Sequence, residues 1–272
     1  MYNLDSSIDL NIILLSDIHY SNNVNKDVFN KILKKFNEID FKPDYICIPG
    51  DILDESTDFD LNVYNFFYEL SKISKVIISL GNHDISKFGK KHMEYYDTKW
   101  YYNITDIDNV YLLNNKQIKI NNLTFTGYTA LYDKNNKYND NPLNTIKDLS
   151  NLNFDTSDYN ILLCHSPQSI LGNNDLYENE FIKKQNLILC GHMHNGMILP
   201  LFDKLFKNNI GLIGPGKKLF PKYARGLIKF NDTTLIICKG FTKLAKHSSI
   251  LRPLNILFPQ ELEKIKIKKI ER

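Results

Sequence analysis

Lys75-Val76-Ile77-Ile78-Ser79-Leu80-Gly81-Asn82-His83-Asp84 is the stretch on which the fold turns. Its first part is an apolar, β-branched run with the pattern of a buried strand. Gly81 then permits the backbone geometry of a tight turn. Three polar groups leave the strand end together: Asn82 offers a carbonyl oxygen, His83 an imidazole, and Asp84 a carboxylate able to orient that imidazole. Strand ends are where open α/β sheets bind ligands. Alone, the segment decides little, because Gly-Asn is a turn dipeptide and a His-Asp pair can satisfy itself. Its repetition along the chain is what carries weight.

Upstream, Asn11-Ile12-Ile13-Leu14-Leu15 reads as a core strand and runs into Ser16-Asp17-Ile18-His19. On an extended chain, side chains two apart point the same way, so Asp17 and His19 are expected to converge. A carboxylate and an imidazole together suit a transition metal. Val24, Val28, Phe29, Ile32, Leu33, Phe36 and Ile39 then follow helical spacing. Tyr45 to Pro49 is a further strand, ending in Gly50-Asp51. A second amphipathic helix passes through Phe59, Val63, Phe66, Phe67, Leu70 and Ile73. The order β-α-β-α-β specifies a parallel sheet with crossover helices, and each strand releases ligand-type residues at its C-terminal end.

Downstream, Lys90 to Asn109 reads as helix-prone and aromatic, with Tyr95, Tyr96, Trp100, Tyr101 and Tyr102 expected to serve packing. Val110–Leu113, Gln117–Ile120 and Leu123–Gly127 read as strands of a second sheet layer. Tyr159 to Cys164 is a core strand followed by His165. Asn186 to Cys190 is another, followed by Gly191-His192-Met193-His194, whose two histidines at period two are expected on one side of an extended chain. Lys264 to Lys269 alternates Ile and Lys, as an edge strand guarded by lysines does. The runs from Gly196 to Lys207 and from Gly214 to Gly226 are apolar and basic. Contact with a membrane surface or an acyl chain is one reading of them; packing on the core is the other.

The 272 residues are 43% hydrophobic and 24% charged, enough for a sizeable core, and we expect a single domain over 1–272. A net charge of +3 does not call for a nucleic-acid partner. Cys47, Cys164, Cys190 and Cys238 each sit in an apolar run without C-x-x-C spacing, which points to reduced, buried thiols. No export signal is read at the start and no run spans a bilayer, so a cytoplasmic location is expected, with peripheral membrane contact the alternative.

Of seven histidines, five lie at strand ends: His19, His83, His165, His192 and His194. With Asp17, Asp51 and Asn82 they exceed what one metal needs and suggest two, Asp51 bridging them. The ordered blocks Asp17-x-His19, Gly50-Asp51, Gly81-Asn82-His83-Asp84, His165 and Gly191-His192-Met193-His194 resemble the calcineurin-like metallophosphoesterase superfamily. The resemblance implies an α/β fold, a four-layer αββα sandwich of two mixed β-sheets flanked by helices. It also implies that Asp17, His19 and His194 hold one divalent metal and that Asn82, His165 and His192 hold the second, with Asp51 shared. Asn82 and His83 would touch the substrate phosphate. His83 would be the general acid, oriented by Asp84, while a hydroxide bridging the metals attacks phosphorus. Manganese is the expected metal, iron and zinc the alternatives.

The closing segments around Arg225-Gly226-Leu227 and from Arg252-Pro253 to Pro259-Gln260-Glu261-Leu262 are similar to the bacterial YkuE/YaeI-like branch. That similarity implies a phosphodiesterase acting on a small-molecule or lipid-like phosphoester. The alternatives are a phosphomonoesterase, a nuclease on the same metal blocks, and a non-catalytic scaffold. The scaffold is disfavoured because every ligand position is filled.

Overall fold

In a computed structural model of the chain, the residues described are 1–23, 25–54, 57, 60–88, 93–95, 101, 103–129, 159–171, 180–198, 209–215, 218–241 and 260–270. Fourteen strands are seen among them. The first sheet contains β1 (Tyr2–Ser6), β2 (Leu10–Leu14), β3 (Tyr45–Pro49), β4 (Lys75–Ser79), β7 (Val110–Leu112) and β14 (Glu263–Lys269), in the order β1-β14-β2-β3-β4-β7. The second contains β8 (Lys116–Ile120), β9 (Leu123–Tyr128), β10 (Tyr159–Cys164), β11 (Leu187–Cys190), β12 (Gly226–Phe230) and β13 (Thr233–Ile237), in the order β12-β13-β11-β10-β9-β8. A two-stranded ribbon pairs β5 (Ser86–Phe88) with β6 (Met93–Tyr95). Both large sheets are mixed: β2, β3, β4 and β7 run parallel, with β14 antiparallel to β2. Likewise β9, β10, β11 and β13 run parallel, with β8 and β12 antiparallel at the edges.

The layering follows from the period of two along each strand. Ile12 and Leu14, Tyr45 and Cys47, and Ile77 face the second sheet, where they meet Phe125, Ile161, Leu163, Leu187, Leu189 and Ile236. Their neighbours Ile13, Ile46, Ile48, Val76 and Ile78 face outward onto α1 (Val28–Glu38) and α2 (Leu61–Ile73), through Phe29, Ile32, Phe66 and Leu70. On the far side Leu162, Cys164, Ile188, Cys190 and Ile237 pack on the short helices Gln168–Leu171 and Glu180–Lys183. Helix, sheet, sheet, helix is therefore the order of layers. The start of α2 is fixed by Asp60, whose carboxylate accepts from the Asn62 and Val63 amides at 2.9 and 3.1 Å. All four cysteines are buried free thiols. No described helix is long and apolar enough to cross a membrane.

Three expectations need correction. β14 is interior: β1 pairs parallel with it on one side and β2 antiparallel on the other. The alternation of Ile and Lys arises because Ile265 and Ile267 face the inter-sheet core while the lysines face away. The strand read after Asn109 belongs to the first sheet, beside β4, rather than to the second. Within 90–109, Met93–Tyr95 is a strand rather than helix, and Tyr96, Trp100 and Tyr102 lie outside the described residues, as do Val24, Phe59, 199–208 and 242–259.

β14 also brings Glu263 into the interior opposite Leu14. Its Oε1 accepts from the Lys239 amide at 3.1 Å, while Oε2 is buried without a hydrogen bond. Burial pushes the carboxyl up to about 7, against the opposing pull of the Lys239 amide. A carboxyl raised above its unfolded value costs nothing at pH values where both states are protonated. Its cost grows through the window between the two values and is complete above about 7. The cost is on the order of 3 kcal/mol. Glu263→Gln should therefore gain stability over the wild type as pH rises from 5 to 8, measured as the difference in denaturant midpoint. A difference that stays constant with pH would contradict the assignment.

Candidate metal centre

The centre is assembled at the C-terminal ends of β2, β3, β4, β10 and β11, where both sheets supply ligand-type side chains. From the first sheet, Asp17 and His19 follow β2, Asp51 follows β3, and the one-turn helix Asn82–Ile85 follows β4. From the second, His165 follows β10, and His192 and His194 follow β11.

Among the described residues, three groups of donor atoms come within 4.8 Å of one another: Asp17, His19 and His194; His19, Asp51 and His83; and Asp51, His165 and His192. Asp51 is the centre of the array. Its Oδ2 lies 3.1 Å from His165 Nε2 and 3.5 Å from His19 Nε2, and its Oδ1 accepts from the His83 amide at 2.9 Å. His194 Nε2 lies 3.6 Å from Asp17 Oδ1. Asn82 is buried at the start of the one-turn helix, directly before His83. His83 is partly exposed, its ring edge-on to His19 with centroids 4.5 Å apart.

Hydrogen bonds to the backbone hold the donors in place. His165 Nδ1 faces the Pro49 carbonyl at 2.8 Å, which makes Nδ1 the donor and turns Nε2 toward Asp51. The Asp17 carboxylate accepts from the His192 amide, 3.0 Å from each oxygen. Asn25 Nδ2 donates to the carbonyls of Ile18 and His19. Glycine at 81 and 191 is required by proximity. A Cβ at Gly81 would collide with the Asp51 carboxylate, and one at Gly191 with Ser16 Oγ and the Asp17 carboxylate.

The backbone here is not extended. Asp17, His19, Asp51, His192 and His194 have φ of 53, 46, 55, 72 and 46°, in the left-handed region that branched-chain sterics disfavour. A left-handed turn at each residue replaces the expected extended backbone; Asp17 and His19 nevertheless converge in one group, as expected, whereas His192 and His194 do not. One consequence is that His192 and His194 join different groups, the former with Asp51 and His165, the latter with Asp17 and His19.

A further correction concerns Asp84. Its carboxylate accepts from the amides of Ile52 at 2.9 Å, Leu53 at 3.0 Å and Gly81 at 2.9 Å, and from the Tyr101 hydroxyl at 2.5 Å. These four donors occupy it, so Asp84 braces the loops instead of orienting His83. Among the described residues, the carboxylate that pairs with the His83 ring is Asp54, with Oδ1 3.7 Å from Nδ1. Asp54 escaped the sequence analysis, although its position three residues beyond Asp51 on the same strand-end loop was a usable signal. Tyr101 was expected only to pack.

Electrostatically, burial would raise the Asp51 carboxyl, but the rings of His165, His83 and His19 outweigh it and hold the group well below the usual carboxylate range. Burial disfavours a charged His165, yet Asp51 pushes that ring up to about 10. Burial and the neighbouring His165 hold His192 well below its ordinary value. Burial and Asp51 push Asp84 up to about 6, with Tyr101 opposing. A ring neutral because of burial, an ionised carboxylate, and a second imidazole whose proton a cation can displace make a donor set of the mixed oxygen–nitrogen kind that divalent transition metals take.

Residues 10–196 match the family model described as calcineurin-like phosphoesterase, and the chain belongs to that family. Among curated relatives, a Caenorhabditis elegans protein named as a metallophosphoesterase is 31% identical over 202 residues, covering 72% of this chain and 38% of its own length. A Campylobacter jejuni metallophosphoesterase is 25% identical over 199 residues, covering 71% of this chain and 46% of its own length. The chain thus spans less than half the length of these two relatives. Among solved structures, a dimetal phosphatase from Danio rerio aligns with a TM-score of 0.44 at 11% identity, over 88% of this chain and 90% of that one.

Because His165 is held protonated in the metal-free protein, a cation that takes its Nε2 must expel a proton. Binding of Mn²⁺ near pH 7 is expected to release about one proton, and apparent affinity to climb roughly tenfold per pH unit below the raised value. Calorimetric titration in two buffers of different ionisation enthalpy reads the proton directly. Release of none would remove His165 from the ligand set.

Proposed function

We propose that the chain is a dinuclear-metal phosphoesterase that prefers phosphodiesters, with manganese the favoured metal. The observation that supports this most is the pair of donor groups, Asp17–His19–His194 and Asp51–His165–His192, with Asp51 also within reach of His19 and His83. When bound, two divalent cations supply a nucleophilic water at neutral pH and neutralise the phosphate oxygens. Asp17, His19 and His194 would hold one, Asn82, His165 and His192 the other, and Asp51 would serve both. The protein itself then needs no nucleophile.

What the chain's own residues add is orientation and a proton. His83, anchored by its amide on Asp51 and partly exposed to the opening, is placed to meet the substrate phosphate beside Asn82. With Nδ1 turned to Asp54, its Nε2 is left to donate to the departing oxygen. Asp84 keeps the His83 loop and the Asp51 loop in register through its four donors. Residues 1–272 would act as one catalytic domain.

The experiment is hydrolysis by metal-free protein reloaded with Mn²⁺, comparing bis-p-nitrophenyl phosphate with p-nitrophenyl phosphate. The diester should be preferred. Preference for the monoester would move the assignment to a phosphatase, and inactivity on both with two metals bound would contradict catalysis of this type. His83→Ala should lower kcat by at least about a hundredfold with metal content retained. Asp51→Asn should lose both metal content and activity. Near-normal turnover by His83→Ala would exclude it as the acid.

A further inference from the structure

A loop from the second sheet builds a cavity beside His192. Ile213 and Leu219 bridge, the Gly214 amide donates to the Lys218 carbonyl at 2.8 Å, and the Phe220 amide to the Leu212 carbonyl at 3.0 Å, so the loop doubles back on itself. Gln168 fastens it to the His165 segment: its amide donates to the Lys222 carbonyl at 3.4 Å and its carbonyl accepts from Ser166 Oγ at 3.2 Å. Between loop and segment lies a cavity of about 500 Å³ with His192 in its wall. That volume falls among sites for ligands of drug or nucleotide size.

The lining divides in two. Leu171, Met193 and Pro221 form a buried apolar floor. At the rim stand Lys218 and Lys222, both exposed, with no carboxylate partner among the described residues. Beside them Phe220 is 60% exposed, a large solvent-facing ring at the mouth of a pocket. Phe220 and Tyr223 have φ of 48 and 55°, a conformation bulky residues adopt only where their surroundings impose it, and such residues gather at ligand clamps.

We propose that this cavity is the subsite for the part of the substrate beyond the scissile phosphate. The chemistry it fits is an aromatic or apolar body bearing a second phosphoryl group, the class of a nucleoside diphosphate. The inference rests on the phosphoesterase assignment above, which places the scissile group on the donor array that His192 shares. Two uncompensated lysines select a second anion. The ring of Phe220 and the apolar floor receive a flat body. A bilayer surface suits the site less well, since the surface is concave and, among the described residues of the loop, the exposed large apolar side chains are Leu212, Leu219 and Phe220.

The test measures binding of α,β-methylene-ADP and of adenosine to the Mn²⁺-loaded protein by calorimetry. The methylene analogue should bind at least tenfold tighter than adenosine. Lys218→Ala with Lys222→Ala should weaken the analogue at least tenfold and adenosine less than twofold, while Phe220→Ala should weaken both. Unchanged binding of the analogue to the double variant, or equal losses for both ligands, would overturn the subsite. So would co-sedimentation with phosphatidylglycerol vesicles that Phe220→Ala abolishes, with no binding of the analogue. Hydrolysis of bis-p-nitrophenyl phosphate separates the two assignments. If it proceeds while lysine-dependent binding is missing, only the subsite fails; if it is absent while that binding persists, only the catalytic assignment fails.

Discussion

The Asp51 carboxylate, 1% exposed and ringed by imidazoles, is the interaction on which the rest of the structure depends. A carboxylate taken so far from water is costly unless its lone pairs are met. Here they are met by His165 Nε2 and the His83 amide, with His19 Nε2 3.5 Å away; the three come from three different strand ends and from both sheets. The arrangement is reciprocal. Asp51 accepts from the loop after β4, and Asp84 of that loop accepts from the Ile52 and Leu53 amides just after Asp51. Two carboxylates thus staple two loops by exchanging backbone donors. Gly50 and Gly81 permit the approach, since a Cβ on Gly50 would run into the Gly81 backbone.

The same region joins the two sheets. Asp17 after β2 accepts from the His192 amide after β11, and His165 after β10 reaches the Pro49 carbonyl at the end of β3. The Phe241 amide, beyond β13, donates to the Ser16 carbonyl at 3.0 Å. These bonds form only when the apolar faces of the sheets are already packed, so the inter-sheet core is what brings the donors within range. Five of the donor residues also occupy the left-handed backbone region, at roughly 1–2 kcal/mol each for residues with a Cβ. Strain of that size persists where surrounding contacts over-determine it.

Much of this was legible in sequence, and the parts that were not have physical causes. The core strands announce themselves as apolar runs, and Gly-Asp, Gly-Asn-His and Gly-His-Met-His each follow such a run, so the fold and the identity of the gathered residues could be read locally. Their projection could not. The period-two argument brought out His192 and His194 for a geometry the backbone does not adopt, because Asp and His, although enriched at left-handed positions, also fill extended ones and so do not mark the turn. Asp84 was paired with its sequence neighbour, whereas its partners are Ile52, Leu53 and Tyr101, up to 32 residues away. β14 looked like an edge because its cover, β1, lies at the opposite end of the chain and reads as a polar, acidic segment. The misses at Asp84 and β14 concern long-range contacts and those at the histidine pairs a local backbone turn, neither of which alternation and propensity encode.

The energetics argue that this cluster is there for chemistry and not for stability. Buried ion pairs are weak contributors to folding, and apolar residues of similar volume commonly do as well or better. A fold needing only cohesion at this seam would continue the Ile, Leu and Cys packing that fills the sheets below it. Instead it gathers two carboxylates and five imidazoles, strains five backbone positions and keeps glycine where side chains would displace the carboxylates. Cation binding to the folded state alone offsets such penalties, because its free energy adds to that of folding. His83 and His194 are partly exposed imidazoles of the array, and of the two His83 is the one that turns toward Asp54, the carboxylate that the sequence did not single out.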